Sequence, residues 1–258
     1  MKIYVLSDIH LGVGKSNDFL LDKDEFLVTL KTLSQTCDYL VLLGDVFECW
    51  ESNFDSQYNT FCKISNKYYD IVNFIETTDN IILISGNHDV VVWQMKLIDK
   101  VKRHKVIEHG LFKLYFAHGH QADVFNSTYW WVGRVITRLC GLAETYIDPD
   151  IDTDMTKLAH TFVSSSINNL TMEHGLILAL KNKYDFVVYG HTHNPQVVLG
   201  SANHRPVIYA NSGSVAYKAD LIDLIRIDCD LTLTVSHLQY SVKNNSVVNL
   251  VNKEIIVK

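Results

Sequence analysis

The chain has 258 residues, of which 47% are hydrophobic and 20% charged, and its net charge is −6. That much apolar material fills a sizeable core and excludes a disordered or fibrous chain. The acidic balance, with no basic run longer than Lys102-Arg103, excludes a protein that coats nucleic acid by neutralising phosphates.

In chain order, Ile3–Leu6, Tyr39–Leu43 and Ile81–Ile84 are continuous apolar runs bounded by polar residues or glycine, the pattern of strands buried on both faces. Between them, Asp18–Gln35 and Gln57–Glu76 carry apolar residues at helical spacing. The alternation predicts a parallel sheet with helices on its faces. Leu111–Ala117 and Phe186–Tyr189 read as further buried strands, and Pro206–Ala210, Ile222–Asp228 and Leu231–Leu238 as strands joined by short turns. The stretch 121–183 has little strand signal and reads as helical at Thr128–Leu142 and Thr153–Lys183. It is too long for an ordinary loop, so a helical cap inserted into one domain spanning 1–258 is expected. The apolar runs are far short of a membrane span. Met1 to Leu6 leads into Asp8 without signal-peptide architecture, and five scattered cysteines lack any CxxC pair. A reducing, cytoplasmic setting is therefore expected.

Twelve histidines are the unusual feature of the composition. Many fall in short motifs directly behind predicted strands: Asp8-Ile9-His10, Gly44-Asp45, Gly86-Asn87-His88-Asp89, His118-Gly119-His120 and Gly190-His191-Thr192-His193. Ligand sites of open α/β sheets lie beyond the carboxyl ends of the strands, so one edge would gather all five. Residues i and i+2 of an extended segment point to the same side, so Asp8/His10 and His191/His193 can each present two ligands. A bridging carboxylate, for which Asp45 is the candidate, can hold two ions about 3.5–4 Å apart, as phosphate displacement requires. The mixed imidazole, carboxylate and amide set suits manganese, iron, cobalt or zinc better than magnesium or calcium.

The ordered set DxH, GD, GNHD, H and GHxH resembles the calcineurin-like metallophosphoesterase superfamily, with Asn211-Ser212-Gly213-Ser214 resembling its NxGS turn. The resemblance implies a four-layer αββα sandwich with mixed sheets. It implies that Asp8, His10 and His193 bind one metal, that Asn87, His118 and His191 bind a second, and that Asp45 bridges them. It further implies that a metal-bridging hydroxide attacks phosphorus, that His88 protonates the leaving oxygen and that Asp89 orients His88. Ser7-Asp8-Ile9-His10-Leu11 and Leu43 to Trp50 look like the branch that contains UDP-2,3-diacylglucosamine pyrophosphohydrolase, which also carries a helical insertion. The chain departs from that branch in having His88 where the branch has Arg, and His118-Gly119-His120 where the branch has HGD.

The expected function is hydrolysis of a phosphodiester or pyrophosphate, in a phosphorylated small molecule or a lipid-nucleotide. A nuclease, a cyclic-nucleotide phosphodiesterase, a phosphomonoesterase and a non-catalytic scaffold are the alternatives. His120, Glu48, Trp131, Arg134 and Arg138 are candidate substrate contacts. For the cap two readings stay open: an amphipathic helix with solvated arginines, or Arg134 and Arg138, four apart on one face, gripping a phosphate. Peripheral membrane contact and oligomeric state stay open as well.

Overall fold

The computed structural model describes residues 1–13, 22–50, 56–122, 168–202, 205–215, 221–241, 243–244 and 246–255. Two sheets form the centre. The first holds β1 (Lys2–Leu6), β2 (Tyr39–Leu43), β3 (Ile81–Ile84), β9 (Leu221–Cys229), β10 (Leu233–Ser241) and β11 (Ser246–Ile255) in the order β11-β10-β9-β1-β2-β3. The second holds β4 (His104–His109), β5 (Phe112–Ala117), β6 (Phe186–Tyr189), β7 (Gln196–Ala202) and β8 (Arg205–Asn211) in the order β4-β5-β6-β8-β7. Both are mixed: β1, β2 and β3 run parallel, as do β5, β6 and β8, and the remaining pairs are antiparallel.

The apolar runs are continuous because each strand is covered on both sides. Along β1, Ile3 and Val5 enter the core between the sheets, where Phe116, Phe186 and Val188 meet them. Tyr4 and Leu6 face the opposite way, toward the helices. Those helices are α1 (Lys23–Gln35), α2 (Gln57–Lys67), α3 (Tyr69–Thr77) and the short α4 (Val90–Gln94). The outer face of the second sheet is covered by α5, whose described part spans 168–182 and which packs Ala179 and Leu176 on Tyr189 and Tyr209. The result is helix, sheet, sheet, helix, the four-layer arrangement expected.

Three differences from the sequence reading have physical causes. The helix expected over Gln57–Glu76 is two helices that meet at Tyr68, whose backbone (φ −111°, ψ 35°) leaves the helical region. The turn keeps Phe61 and Ile64 in the same cluster as Ile71, Val72 and Ile75. The strand at 205–211 does not form a hairpin with the next one; it enters the second sheet between β6 and β7, while β9 crosses to the first. The edge strands β4, β7 and β11 escape prediction; β4, for one, buries only one of its six residues fully and so lacks an apolar run. The helical cap expected over 121–183 falls mostly on 123–167, outside the described residues; its last part is α5. Among the described residues, no helix is long and apolar enough to cross a membrane.

Phe116 is fully buried between the sheets. Phe116→Ala should lower the unfolding free energy by about 3–5 kcal/mol through lost transfer energy and a residual cavity. Leu111→Ala, at a residue 83% exposed, should change it by less than about 0.5 kcal/mol. Urea titration of both variants measures the contrast.

Candidate metal centre

Five strands end at one edge of the sandwich. β1 delivers Asp8 and His10, β2 delivers Asp45, β3 delivers Asn87 and His88, β5 delivers His118 and β6 delivers His191 and His193. The chain curls sharply at each arrival. Of the seven described non-glycine residues with positive φ, five belong to this set: Asp8 (54°), His10 (51°), Asp45 (50°), His191 (68°) and His193 (53°). Such a backbone costs on the order of 1–3 kcal/mol per residue and persists only where its surroundings over-determine it. Here they do: the amide of Asp8 donates to Gly44 O (3.1 Å), those of Ile9 and His10 to Asp45 O (3.0 Å each), and that of Leu11 to Val46 O (2.9 Å).

Glycine is required where the loops converge. A Cβ on Gly86 would lie 2.0 Å from Asp45 Oδ1, and one on Gly44 would lie 2.4 Å from His118 Nδ1.

The carboxylates each have one oxygen tied down and one turned inward. Asp8 Oδ2 accepts from the Ser7 hydroxyl and from the His191 amide (3.1 Å). Asp8 Oδ1 is buried, makes no hydrogen bond and lies 3.1 Å from His193 Nε2. Asp45 Oδ1 accepts from the His88 amide at 2.8 Å, while Oδ2 lies 3.0 Å from His118 Nε2. His118 Nδ1 donates to Leu43 O at 2.9 Å, which leaves the lone pair of the neutral ring on Nε2. That Nε2 and the buried Asn87 Oδ1 also make no hydrogen bond. Asp8, His10 and His193 offer one ligand atom each within 4.8 Å of one another, as do Asp45, His118 and His191. Ligand atoms that face each other at this range fit a cation between them, and the donor set is that of a first-row transition metal.

Charge tells the same way. Burial alone would raise the pKa of both aspartates, but His193 and His118 outweigh it and hold Asp8 down to about 2. Asp45 is held well below the usual carboxylate range by His118 and His88. Burial would lower His118, yet Asp45 and Asp8 push it up to about 9. In the metal-free protein a proton on the imidazole thus occupies the place that a cation could take.

Beside this centre lies a second cluster. Glu48, 2% exposed, accepts from His10 Nδ1 at 2.8 Å and from His88 Nδ1 at 2.7 Å on the same oxygen, Oε2. Its Oε1 accepts from the Trp50 amide at 2.9 Å. The Trp50 ring stacks on that of His88 with centroids 4.2 Å apart. Burial would raise the Glu48 carboxyl, but the charge of His88 and the two imidazole bonds hold it well below its ordinary value.

These contacts bear on two expectations. Glu48, expected at the substrate, lies beneath the two imidazoles. Asp89, expected to orient His88, instead spends its oxygens on backbone amides: Gly86 (2.6 Å), Val46 (2.8 Å) and Phe47 (3.3 Å). It laces the β2 and β3 loops together, and burial together with the Asp45 charge pushes it up to about 7. The sequence signal for Glu48 is its place three residues after Asp45, the reach of one tight turn.

His120 sits on the 3₁₀ turn His120–Ala122, its ring 5.5 Å from that of His118 and 6.4 Å from that of His191. Burial and those two neighbours push it down to about 3. Asn211 holds the β6 loop by donating to Gly190 O (2.7 Å) and Thr192 Oγ1 (3.1 Å). Trp131, Arg134 and Arg138 lie outside the described residues.

Two outcomes follow from this geometry. Because the folded-state pKa of His118 is raised, its protonation stabilises the metal-free fold below about pH 6.5 and that contribution is lost as pH rises toward 9. Metal uptake must displace the proton, so manganese affinity should climb over the same window, with proton release visible by calorimetry in two buffers. Gly86→Ala should displace Asp45 and cut bound metal, read by elemental analysis of the purified protein.

Comparison with known proteins agrees with this architecture. The profile of the family described as Calcineurin-like phosphoesterase matches residues 1–195. A UDP-2,3-diacylglucosamine hydrolase of Vibrio atlanticus is 25% identical over 221 residues, covering 79% of this chain and 85% of that protein. One from Salmonella dublin is 24% identical over 217 residues, covering 76% and 85%. Among solved structures, a purple acid phosphatase from yellow lupin (Lupinus luteus) superposes with a TM-score of 0.55 at 12% identity, covering 99% of this chain and 53% of that one, a likeness of fold. With the family profile lying across every strand end described above, the chain belongs to the calcineurin-like phosphoesterase family and is a metal-dependent phosphoester hydrolase.

Proposed function

We propose that this chain hydrolyses a phosphodiester or pyrophosphate bond, with a nucleotide-linked substrate akin to that named for its bacterial relatives. One observation carries the reading. Two three-residue ligand groups, Asp8/His10/His193 and Asp45/His118/His191, open at one strand edge beside His88. Two divalent ions, manganese foremost, would supply charge for the phosphoryl oxygens and a water acidified enough to attack phosphorus.

Asp8, His10 and His193 hold the first ion in this reading, Asn87, His118 and His191 the second, and Asp45 spans both. His88 is the proton donor. Its Nδ1 is engaged by Glu48, so a proton delivered by this ring leaves from Nε2. The side chain is 19% exposed, enough to meet a leaving oxygen. Glu48 and the Trp50 stack fix the ring, and the shared carboxylate oxygen sets the angle of His10 at the same time. His120, half-buried beside His118 and His191, would touch the substrate phosphate in this reading. The chain is read as one domain over 1–258 that works in the cytoplasm.

A panel of phosphodiesters, pyrophosphates and monoesters assayed with manganese tests the substrate class. The expected result is turnover of diesters or pyrophosphates well above that of monoesters, and monoester preference would overturn it. His88→Ala should keep both metals and lose about 10²–10⁴-fold in rate on esters with poor leaving groups. The loss should be smaller on activated nitrophenyl esters. Glu48→Gln should reproduce part of that pattern and should also weaken metal retention through His10. A Glu48→Gln protein with unaltered rate and metal content would show that the carboxylate positions neither ring.

A further inference from the structure

The five strand-end motifs do not use Arg103, which lies just beyond the end of β3. Lys102 runs alongside the end of β3: its amide donates to Leu83 O at 2.9 Å, and its carbonyl accepts from the Ser85 amide at 2.8 Å. Arg103 follows, one residue beyond the bridge between Lys102 and Ile84. On its other side β4 pairs with β5 so that His104 stands opposite Ala117. That pair ends the ladder, and His118 follows Ala117 directly. Arg103 therefore lies between the bridge that ends β3 and the first pair of the β4–β5 ladder, beside the strand ends that lead to Asn87 and His118, two residues of the second proposed ligand group.

Its side chain is held ready there. The guanidinium lies 4.9 Å from the centroid of Trp93, on the helix that begins directly after His88-Asp89. Stacking restrains the plane and leaves the N–H edge open for a fork of hydrogen bonds. The other described arginines have carboxylate partners, Arg205 with Asp185 and Arg226 with Asp228. Among the described residues no carboxylate pairs with Arg103, which is exposed to solvent. In a chain of net charge −6, an unneutralised and pre-oriented guanidinium at this edge is a place for an anion.

We infer that Arg103 grips a second phosphoryl group of the substrate, adjacent to the scissile one, on the side of Asn87 and His118. The inference rests on the pyrophosphate form of the reading above and makes Arg103 the residue that distinguishes a diphosphate from a simple diester. A planar fork suits two oxygens of one phosphoryl group, which a lysine cannot match bidentately.

Calorimetric binding of UDP and UMP to the manganese-loaded protein tests it. In the wild type UDP should bind more tightly than UMP. Arg103→Ala should weaken UDP by ten- to a hundredfold, the range for one charge-assisted contact. UMP should change less than twofold and bound manganese should be unaltered. Arg103→Lys should restore only part of the UDP affinity. Equal losses for both nucleotides, no loss for either, or a wild type that binds UDP no better than UMP would overturn the inference. The two readings fail separately. A protein that cleaves pyrophosphates but is indifferent to Arg103→Ala loses only the anion site. One that cleaves no phosphoester yet shows the selective UDP loss keeps the anion site and refutes the proposed reaction.

Discussion

Two buried carboxylates, Asp8 and Asp45, govern this molecule. Both lie where the sheets converge, out of contact with bulk water, and an uncompensated charge there would be very costly. The surrounding structure answers that charge. Amide and hydroxyl donors take one oxygen of each, imidazoles gather about the other, and the glycines of neighbouring loops stand aside to let them approach. The left-handed residues at the strand ends follow from the same demand. A regular strand would carry each ligand past the centre, whereas a single left-handed residue turns it back.

Support is layered around that centre. Asp89 ties the β2 and β3 loops through backbone amides, Asn211 ties the β6 loop, and Ser7 and Ser214 fasten the β1 loop through Asp8. None of these groups needs to meet a substrate. Their work is to make the curled strand ends the stable state, so that the ligand geometry exists before a ligand arrives, which is how binding sites avoid paying for order at the moment of binding.

Much of this was legible in the sequence, for a definite reason. Strands β1, β2, β3 and β6 are buried on both faces, so burial wrote itself as unbroken apolar runs, and the ligand motifs sit directly behind them. What was not legible depends on contacts between distant residues. Asp89 follows His88 in sequence, and adjacency made it the natural partner; only the turn after β2 brings Glu48 under the imidazole instead. Arg103 was visible merely as part of a short basic pair, because its value lies in strand register and in the tryptophan beneath it. The half-buried edge strand β4 has too little alternation to be read alone, and the break at Tyr68 is set by the surface on which α2 and α3 pack.

The pairing of β1 with β9 has a consequence for how the chain reaches this state. Lys2 stands opposite Asp228, and the amino group of Met1 donates to Cys229 O at 2.8 Å. The strand that bears Asp8 and His10 is therefore flanked on one side by β2 and on the other by a segment from the far end of the sequence. In the second sheet, β8 likewise inserts between β6 and β7. Neither sheet can be completed from the first 195 residues, although they contain every proposed ligand. The stretch bearing the chemistry is thus not a self-sufficient folding unit. Ordering its long-range strand pairs carries the loop-closure cost that slows folding, and a nascent chain on the ribosome must hold β1 with an open edge until the meander of β9 to β11 has emerged to cover it.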